Sequence, residues 1–227
     1  MTFPFRLIDL THPLKENIAS WEKPCGFSHT TLLDYTDCTT AVKFKVQNIQ
    51  MPAGIGTHMD APAHCNPLGK TIDAIPIQDC LVPCVVINLS EKAHETYQCS
   101  QQDIVDFEAQ YGPINAGVFV IIYTGWARYW ESPEHYWNNL RFPSVSQEAA
   151  EWLMTRDIAG LGIDTLSPDT AESGYPAHQA ILGQGKYLVE NVANAHLLPP
   201  TGSYVLIAPL FLLGGTEAPV RLIGFIK

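Results

Sequence analysis

The chain has 227 residues, 46% of them apolar and 16% charged, with a formal net charge of −10. That apolar content builds a full core and excludes a disordered chain, and the length suits one large domain over residues 1–227. The acidic balance disfavours nucleic acid and acidic membrane surfaces as partners, and because it also keeps a globular protein soluble it says little more.

The opening MTFPFRLIDL carries one arginine and no long apolar run, and no stretch approaches about 18 uninterrupted apolar residues. Neither a signal peptide nor a membrane span is expected. Six cysteines (Cys25, Cys38, Cys65, Cys80, Cys84 and Cys99) contain no Cys-x-x-Cys pair, and Cys80 and Cys84 lack a second pair at zinc-finger spacing. They read as reduced thiols of a cytoplasmic protein.

Leu7 to Leu10 reads as a first strand, stopped by Thr11-His12-Pro13. Lys15 to Cys38, with Trp21, has no period and reads as a long surface loop, the kind that usually carries function. Partial alternation from Ala41 to Ile49 predicts a strand. Val82 to Leu89 is a β-branched run and predicts a buried strand despite Pro83.

Ser100, with Asp103 three residues on, is the signature of a helix N-terminus, and Gly112-Pro113 ends that helix. Gly117 to Thr124 (GVFVIIYT) is the strongest strand signal. Gly125 to Phe142 is aromatic and irregular. Ser146 caps a helix to about Arg156, a short strand covers Ala159 to Ile163, a helix starts near Ala177, and strands cover Ser203 to Ala208 and Val220 to Ile226. About seven strands with three interspersed helices predict an α/β fold: a strand-rich mixed sheet with flanking helices.

Two clusters carry chemistry. Met51 to His64 (MPAGIGTHMDAPAH) holds His58, Asp60 and His64 in seven residues, and Pro52 and Pro62 keep it from forming a helix. In an extended segment residues i and i+2 share a face about 6.5 Å apart, so His58 and Asp60 can converge on one ion. A bend at Ala61-Pro62-Ala63 could bring His64 back to it. Imidazole with carboxylate suits zinc, manganese or iron.

The second cluster is His178 and Glu190, twelve residues apart. On one straight helix they would lie about 18 Å apart. Gly185 is well placed as a C′ residue ending the helix, and a returning strand at Tyr187-Leu188-Val189 would bring Glu190 back level with His178.

Together these clusters resemble the cyclase family of bacterial kynurenine formamidases and isatin hydrolases. The family signature is His-x-Gly-Thr-His-x-Asp-x-Pro-x-His with a downstream His and Glu twelve apart. This chain has Gly54-Ile-Gly56-Thr57-His58-Met-Asp60-Ala-Pro62-Ala-His64, then His178 and Glu190. Ile8-Asp9-Leu10-Thr11-His12-Pro13, the tract Gly162 to Asp169, and Glu190-Asn191 also match, so the resemblance spans most of the chain.

The resemblance implies a swivelling β/β/α fold and a homodimer or homotetramer. It implies His58, Asp60, His178 and Glu190 as metal ligands, with Asp60 and Glu190 able to bridge two ions. His64 would be the general acid/base, and Trp21 would lie against the substrate. The implied cofactor is a divalent metal, Zn²⁺ first and Mn²⁺ as the alternative. The implied activity is hydrolysis of an amide, in an N-formyl aromatic amine or a cyclic amide, by a metal-activated water.

One position departs: the first histidine of the signature is Gly54 here. That leaves open a single ion, a second ion completed by water or a side chain such as Gln50, or altered chemistry. Lactone hydrolysis and a non-catalytic metal-binding role are the alternatives. Gly-x-Ser-x-Gly is absent, so no serine nucleophile is expected, and no Gly-x-Gly-x-x-Gly turn points to a dinucleotide. His12, His29, His94, His135 and His196 read as structural.

Overall fold

The computed structural model describes residues 4–227. In chain order, its strands are β1 (Arg6–Asp9), β2 (Ser28–Leu33), β3 (Val46–Gln50), β4 (His58–Asp60), β5 (Leu81–Asn88), β6 (Gln98–Cys99), β7 (Phe119–Tyr123), β8 (Ser144–Val145), β9 (Gly160–Ile163), β10 (Tyr187–Glu190), β11 (Ser203–Pro209) and β12 (Glu217–Ile226). Its α-helices are α1 (Gln101–Tyr111), α2 (Pro133–Trp137), α3 (Gln147–Met154) and α4 (Pro176–Leu182).

Eight strands form one mixed sheet in the order β1-β12-β11-β5-β7-β9-β10-β4, and β12 also pairs with β4. That extra pairing closes the sheet into a barrel, with β1 as an appended edge. β12 can do this because it is ten residues long: Glu217 to Pro219 pair with β4, and the rest pairs with β11 and β1. The run β5-β7-β9-β10 is parallel. Parallel neighbours need crossover connections, and α1, α3 and α4 supply them in turn.

Alternation along the strands separates two cores. On β7, Phe119 and Ile121 face the barrel interior with Met59, Val189, Ala218 and Leu222. Val120 and Ile122 face outward under Ile104, Phe107, Ala149, Leu153 and Ile181 of the helices. A third cluster of Trp126, Trp130, Tyr136, Phe142 and Ile55 consolidates the loops on that outer side.

The helix signals hold. Ser100 and Asp103 form the capping box of α1, with each side chain bonded to the other residue's backbone. The Ser146 hydroxyl caps α3 by accepting from the Ala149 N–H. After α4, Gly185 (φ +78°) donates to the Leu182 carbonyl and Lys186 to the Ile181 carbonyl. These are the paired bonds of a Schellman end with Gly185 at C′.

Four expectations are corrected. Lys15 to Cys38 is not all loop, because β2 lies within it and pairs with β3 as a separate arm. The strand expected from Ala41 starts at Val46. Gly125 to Phe142 contains the short helix α2. The last strand reaches back to Glu217, three residues before the expected start, because Pro219 reads as a break although the ladder runs through it. Twelve strands and four helices, not seven and three, are present among the described residues. The additional strands are mostly too short to carry a period. No helix among these residues is long and apolar enough to cross a membrane.

Candidate active site

His58 and Asp60 flank Met59 on β4. Met59 packs into the barrel, so its two neighbours point to the outer face. The register then chooses their companions. Glu190 of β10 lies opposite His58, and Glu217 of β12 lies opposite Asp60. Three strands thus deliver one imidazole and three carboxylates to one face. Helix α4 crosses above it and lowers His178 onto the same point. The α4–β10 turn brings Glu190 level with His178, as its glycines predict.

The donor atoms converge. His58 Nε2 is 3.4 Å from Asp60 Oδ1 and 3.3 Å from Glu190 Oε2. His178 Nε2 is 3.7 Å from Asp60 Oδ2 and 3.6 Å from Glu190 Oε1. In a tetrahedron with bonds of about 2.1 Å, neighbouring donors lie roughly 3.4 Å apart. The separations are therefore of ligand spacing, and the groups that meet at it are Asp60, His178 and Glu190, and His58, Asp60 and Glu217. All four residues are buried, and Asp60 Oδ1 receives no hydrogen bond. An orphaned carboxylate oxygen in a buried ring of nitrogen and oxygen donors fits a divalent metal.

Both imidazoles are aimed from behind. His58 Nδ1 donates to the Gly56 carbonyl (2.8 Å), which also accepts from Asn191 Nδ2. The Tyr136 hydroxyl lies 2.9 Å from both Asn191 Oδ1 and the Asp164 carbonyl oxygen, which share its one proton. His178 Nδ1 donates to Asp169 Oδ2 (2.8 Å), and the Asp169 carboxylate also accepts from the backbone N–H groups of Ala177 and His178. With each Nδ1 committed as a donor, each Nε2 presents its lone pair to the centre.

The electrostatics show the same crowding. Burial disfavours a charged His58, but the Asp60 and Glu190 carboxylates outweigh it and hold its pKa well above the ordinary value. Burial likewise opposes His178, and the Asp169 hydrogen bond and the carboxylates raise it. Glu190 is pushed up by burial and by Asp60. Burial would raise Asp60 too, but His58 and the other imidazoles draw it below the usual carboxylate range.

The cluster floors a cavity of about 380 Å³, within the range of small-molecule sites. His64 and Trp21 both line it. His64 sits on the 3-10 turn Pro62–His64 after β4, its ring centroid 6.0 Å from that of His178, outside the groups of donors that converge on an ion. Trp21 rests against Phe142 and Tyr175 at the cavity wall. The aromatic segment Trp126 to Trp137 packs in the loop core and does not line the cavity. None of His12, His29, His94, His135 and His196 lines it either.

Gly54 also borders the cavity. A Cβ built there would meet Glu217 Oε1 at 2.1 Å and His58 Nε2 at 3.4 Å. Glu217 therefore fills the space that a side chain at position 54 would need. Gln50, the suggested substitute, lies exposed on β3 and does not line the cavity. Sequence reading missed Glu217, Asp169 and Asn191. The Gly162–Asp169 tract and the Glu190-Asn191 pair signalled the last two, and only Gly54 hinted at the first.

Residues 8–170 match the family model described as "Putative cyclase". The isatin hydrolase of Roseibium aggregatum is 27% identical over 187 residues, covering 75% of this chain and 71% of that protein. The kynurenine formamidase of Geobacillus thermodenitrificans is 29% identical over 217 residues, covering 94% of each. The solved structure of isatin hydrolase A from Ralstonia solanacearum superposes with a TM-score of 0.89 at 27% identity, over 98% of this chain and 92% of that one. A structure titled as a "potential metal-dependent hydrolase with cyclase activity" does so with a TM-score of 0.79 at 26% identity, over 98% of each chain.

Proposed function

The chain belongs to the cyclase family, and on that premise we propose that it is a metal-dependent hydrolase of a non-peptide carbon–nitrogen bond, acting on an N-formyl aromatic amine or a cyclic amide. The observation that carries this reading is the buried cluster in the floor of the cavity, where the Asp60 and Glu190 carboxylates lie between the His58 and His178 imidazoles. Those four would supply ligands for a divalent cation, with Asp60, His178 and Glu190 grouped around one position and His58 beside them on Asp60, and with Zn²⁺ as first choice and Mn²⁺ as the alternative. When bound, a divalent cation supplies positive charge that acidifies water and polarises a carbonyl.

The residues around it have separate tasks. His64, partly exposed to the cavity and not among the converging donors, takes a proton from the attacking water and returns it to the leaving nitrogen. An O–H bond of water breaks, the C–O bond forms, the C–N bond breaks, and the released nitrogen carries the proton away. Gly56 and Asp169 keep both imidazoles in the ligating tautomer. Trp21 offers an apolar wall that suits an aromatic amide. The same reading includes a cytoplasmic homodimer or homotetramer. The free thiols favour the compartment, and the exposed apolar side chains of the β2–β3 arm favour the assembly.

The test is a metal-stripped preparation reloaded with Zn²⁺ or Mn²⁺ and assayed on formyl anilides, cyclic imides and lactones. Amide cleavage is expected, with lactones as the comparison class. Asp60→Ala, which removes the carboxylate common to both groups, loses metal and activity together, and His58→Ala binds less metal than wild type and loses activity. His64→Ala keeps its metal and loses roughly 10²–10⁴ in kcat. A protein that takes up no metal after reloading, or a fully active His64→Ala variant, contradicts the reading.

A further inference from the structure

We propose that His58, Asp60 and Glu217 form a second divalent-cation site beside the one made by Asp60, His178 and Glu190, with the Glu217 carboxylate standing where the family signature has its first histidine. This rests on the reading of the protein as a metal-dependent member of its family, and deepens it. Both groups present donor atoms that lie within 4.8 Å of one another, and Asp60 belongs to both.

Four observations support the site. The register of β12 on β4 puts Glu217 directly opposite Asp60, so the two carboxylates share the outer face by construction. Glu217 Oε1 occupies the volume next to Gly54 and His58, where a Cβ at position 54 would come within 2.1 Å of it. A side chain at position 54 and this placement of Glu217 exclude each other, so the glycine and the glutamate are two halves of one exchange. Asp60 Oδ1 is buried and unpartnered. Finally, no lysine or arginine is among the residues lining the cavity. Three carboxylates therefore gather there with imidazoles as the only lining groups that can carry positive charge. With the imidazoles neutral, one divalent ion leaves a net negative charge and two reverse it.

Glu217 also faces the proton-transfer group. Its Oε2 lies 3.6 Å from His64 Nδ1, beyond a hydrogen bond, whereas Oε1 faces the ligand side. The carboxylate is therefore placed as a ligand whose outer oxygen borders His64. Replacing an imidazole by a carboxylate makes the second donor set harder and more anionic. That shifts its choice among divalent ions away from Zn²⁺ and toward oxygen-preferring ions such as Mn²⁺.

The experiment is calorimetric titration of the metal-stripped full chain with Mn²⁺ alone, paired with electron paramagnetic resonance of the loaded protein. Wild type should bind two Mn²⁺ per chain and show an exchange-coupled pair, because Asp60 is shared. Glu217→Ala and the shape-conserving Glu217→Gln should each bind one, with an uncoupled signal and the remaining site within about tenfold of wild type. The double variant Gly54→His, Glu217→Ala should regain a second ion, now preferring Zn²⁺ over Mn²⁺.

Saturation of wild type at one equivalent overturns the proposal, as does retention of two coupled ions by a folded Glu217→Gln variant. If Glu217→Gln keeps both ions but loses activity to the same extent as His64→Ala, the residue serves only His64 and the proposal fails. Two bound ions with no hydrolysis of any compound in the panel would contradict the proposed function and leave this site standing. One ion with amide hydrolysis does the reverse.

Discussion

Asp169 lines no part of the cavity, yet its carboxylate makes three contacts with the start of α4: the Ala177 and His178 N–H groups and the His178 imidazole. It caps the helix and aims the His178 imidazole in one act. Asp169→Asn keeps the size but turns one acceptor oxygen into a donor facing N–H groups. Metal affinity should fall about 10–100-fold, read by competition with a chromogenic chelator, while His64-dependent proton transfer at saturating metal survives. His12 is a residue-scale case of a different kind. It stacks on Trp130 with ring centroids 4.1 Å apart, and its Nε2 is buried without a partner. Burial lowers its pKa to about 4, with Glu131 pulling weakly the other way. A histidine harder to protonate in the fold than in the unfolded chain contributes nothing above its unfolded value near 6.5 and costs stability as pH falls below it. Between pH 7 and pH 5 the wild type should lose up to about 2 kcal/mol that His12→Phe does not lose, measured by urea denaturation at both pH values. Equal losses in the two proteins would show that His12 does not titrate in this way.

Strand β9 shows how an element is chosen by its neighbours. Its sequence is Gly-Leu-Gly-Ile, and the two glycines lie on the barrel side, under the Phe119 and Tyr187 rings, which stack at 5.9 Å. A Cβ at Gly162 would meet the Phe119 ring at 2.9 Å, and one at Gly160 would meet the Tyr187 backbone and ring at 2.6 Å. Gly162→Ala should cost about 1–3 kcal/mol in urea denaturation, and Gly160→Ala should cost more because backbone cannot rotate away. The same element explains what was legible from sequence. The continuous apolar, β-branched run from Gly117 to Thr124 announced β7, buried on both faces. The contiguous motif announced His58, Asp60 and His64, because an extended segment fixes which of its residues share a face. His178 and Glu190 were legible because the intervening turn has a glycine signature. Glu217 was not, because nothing local marks it. Its role arises from pairing across 157 positions with Asp60, behind a proline that hid the start of its strand. Asp169 was visible only as part of a tract, since capping and ligand orientation are properties of the assembled helix.

At the scale of the whole molecule, the arm formed by β2 and β3 stands apart from the barrel. Its two strands pair only with each other, and all of Val46 to Gln50 is exposed. A two-stranded ribbon is at best marginal in water. Yet Leu32, Val42, Phe44 and Ile49 in or beside it are 57–68% exposed. Apolar side chains clustered on an unsupported ribbon favour a covering partner, and the homo-oligomer implied by the family offers a second copy of this chain. Sedimentation equilibrium at micromolar concentration should therefore find a dimer or tetramer, and Val42→Asp with Phe44→Asp should shift it to monomer. The arm begins only seven residues after Trp21, which lines the cavity. If the partner steadies the arm, it also steadies the cavity wall at Trp21. The monomeric variant should then raise KM several-fold while binding the same number of metal ions, because the proposed ligands sit on β4, β10, β12 and α4 and none belongs to the arm. A wild type that sediments as a monomer rules out this role for the arm. A monomeric variant that also loses its metal shows that the arm supports the barrel itself.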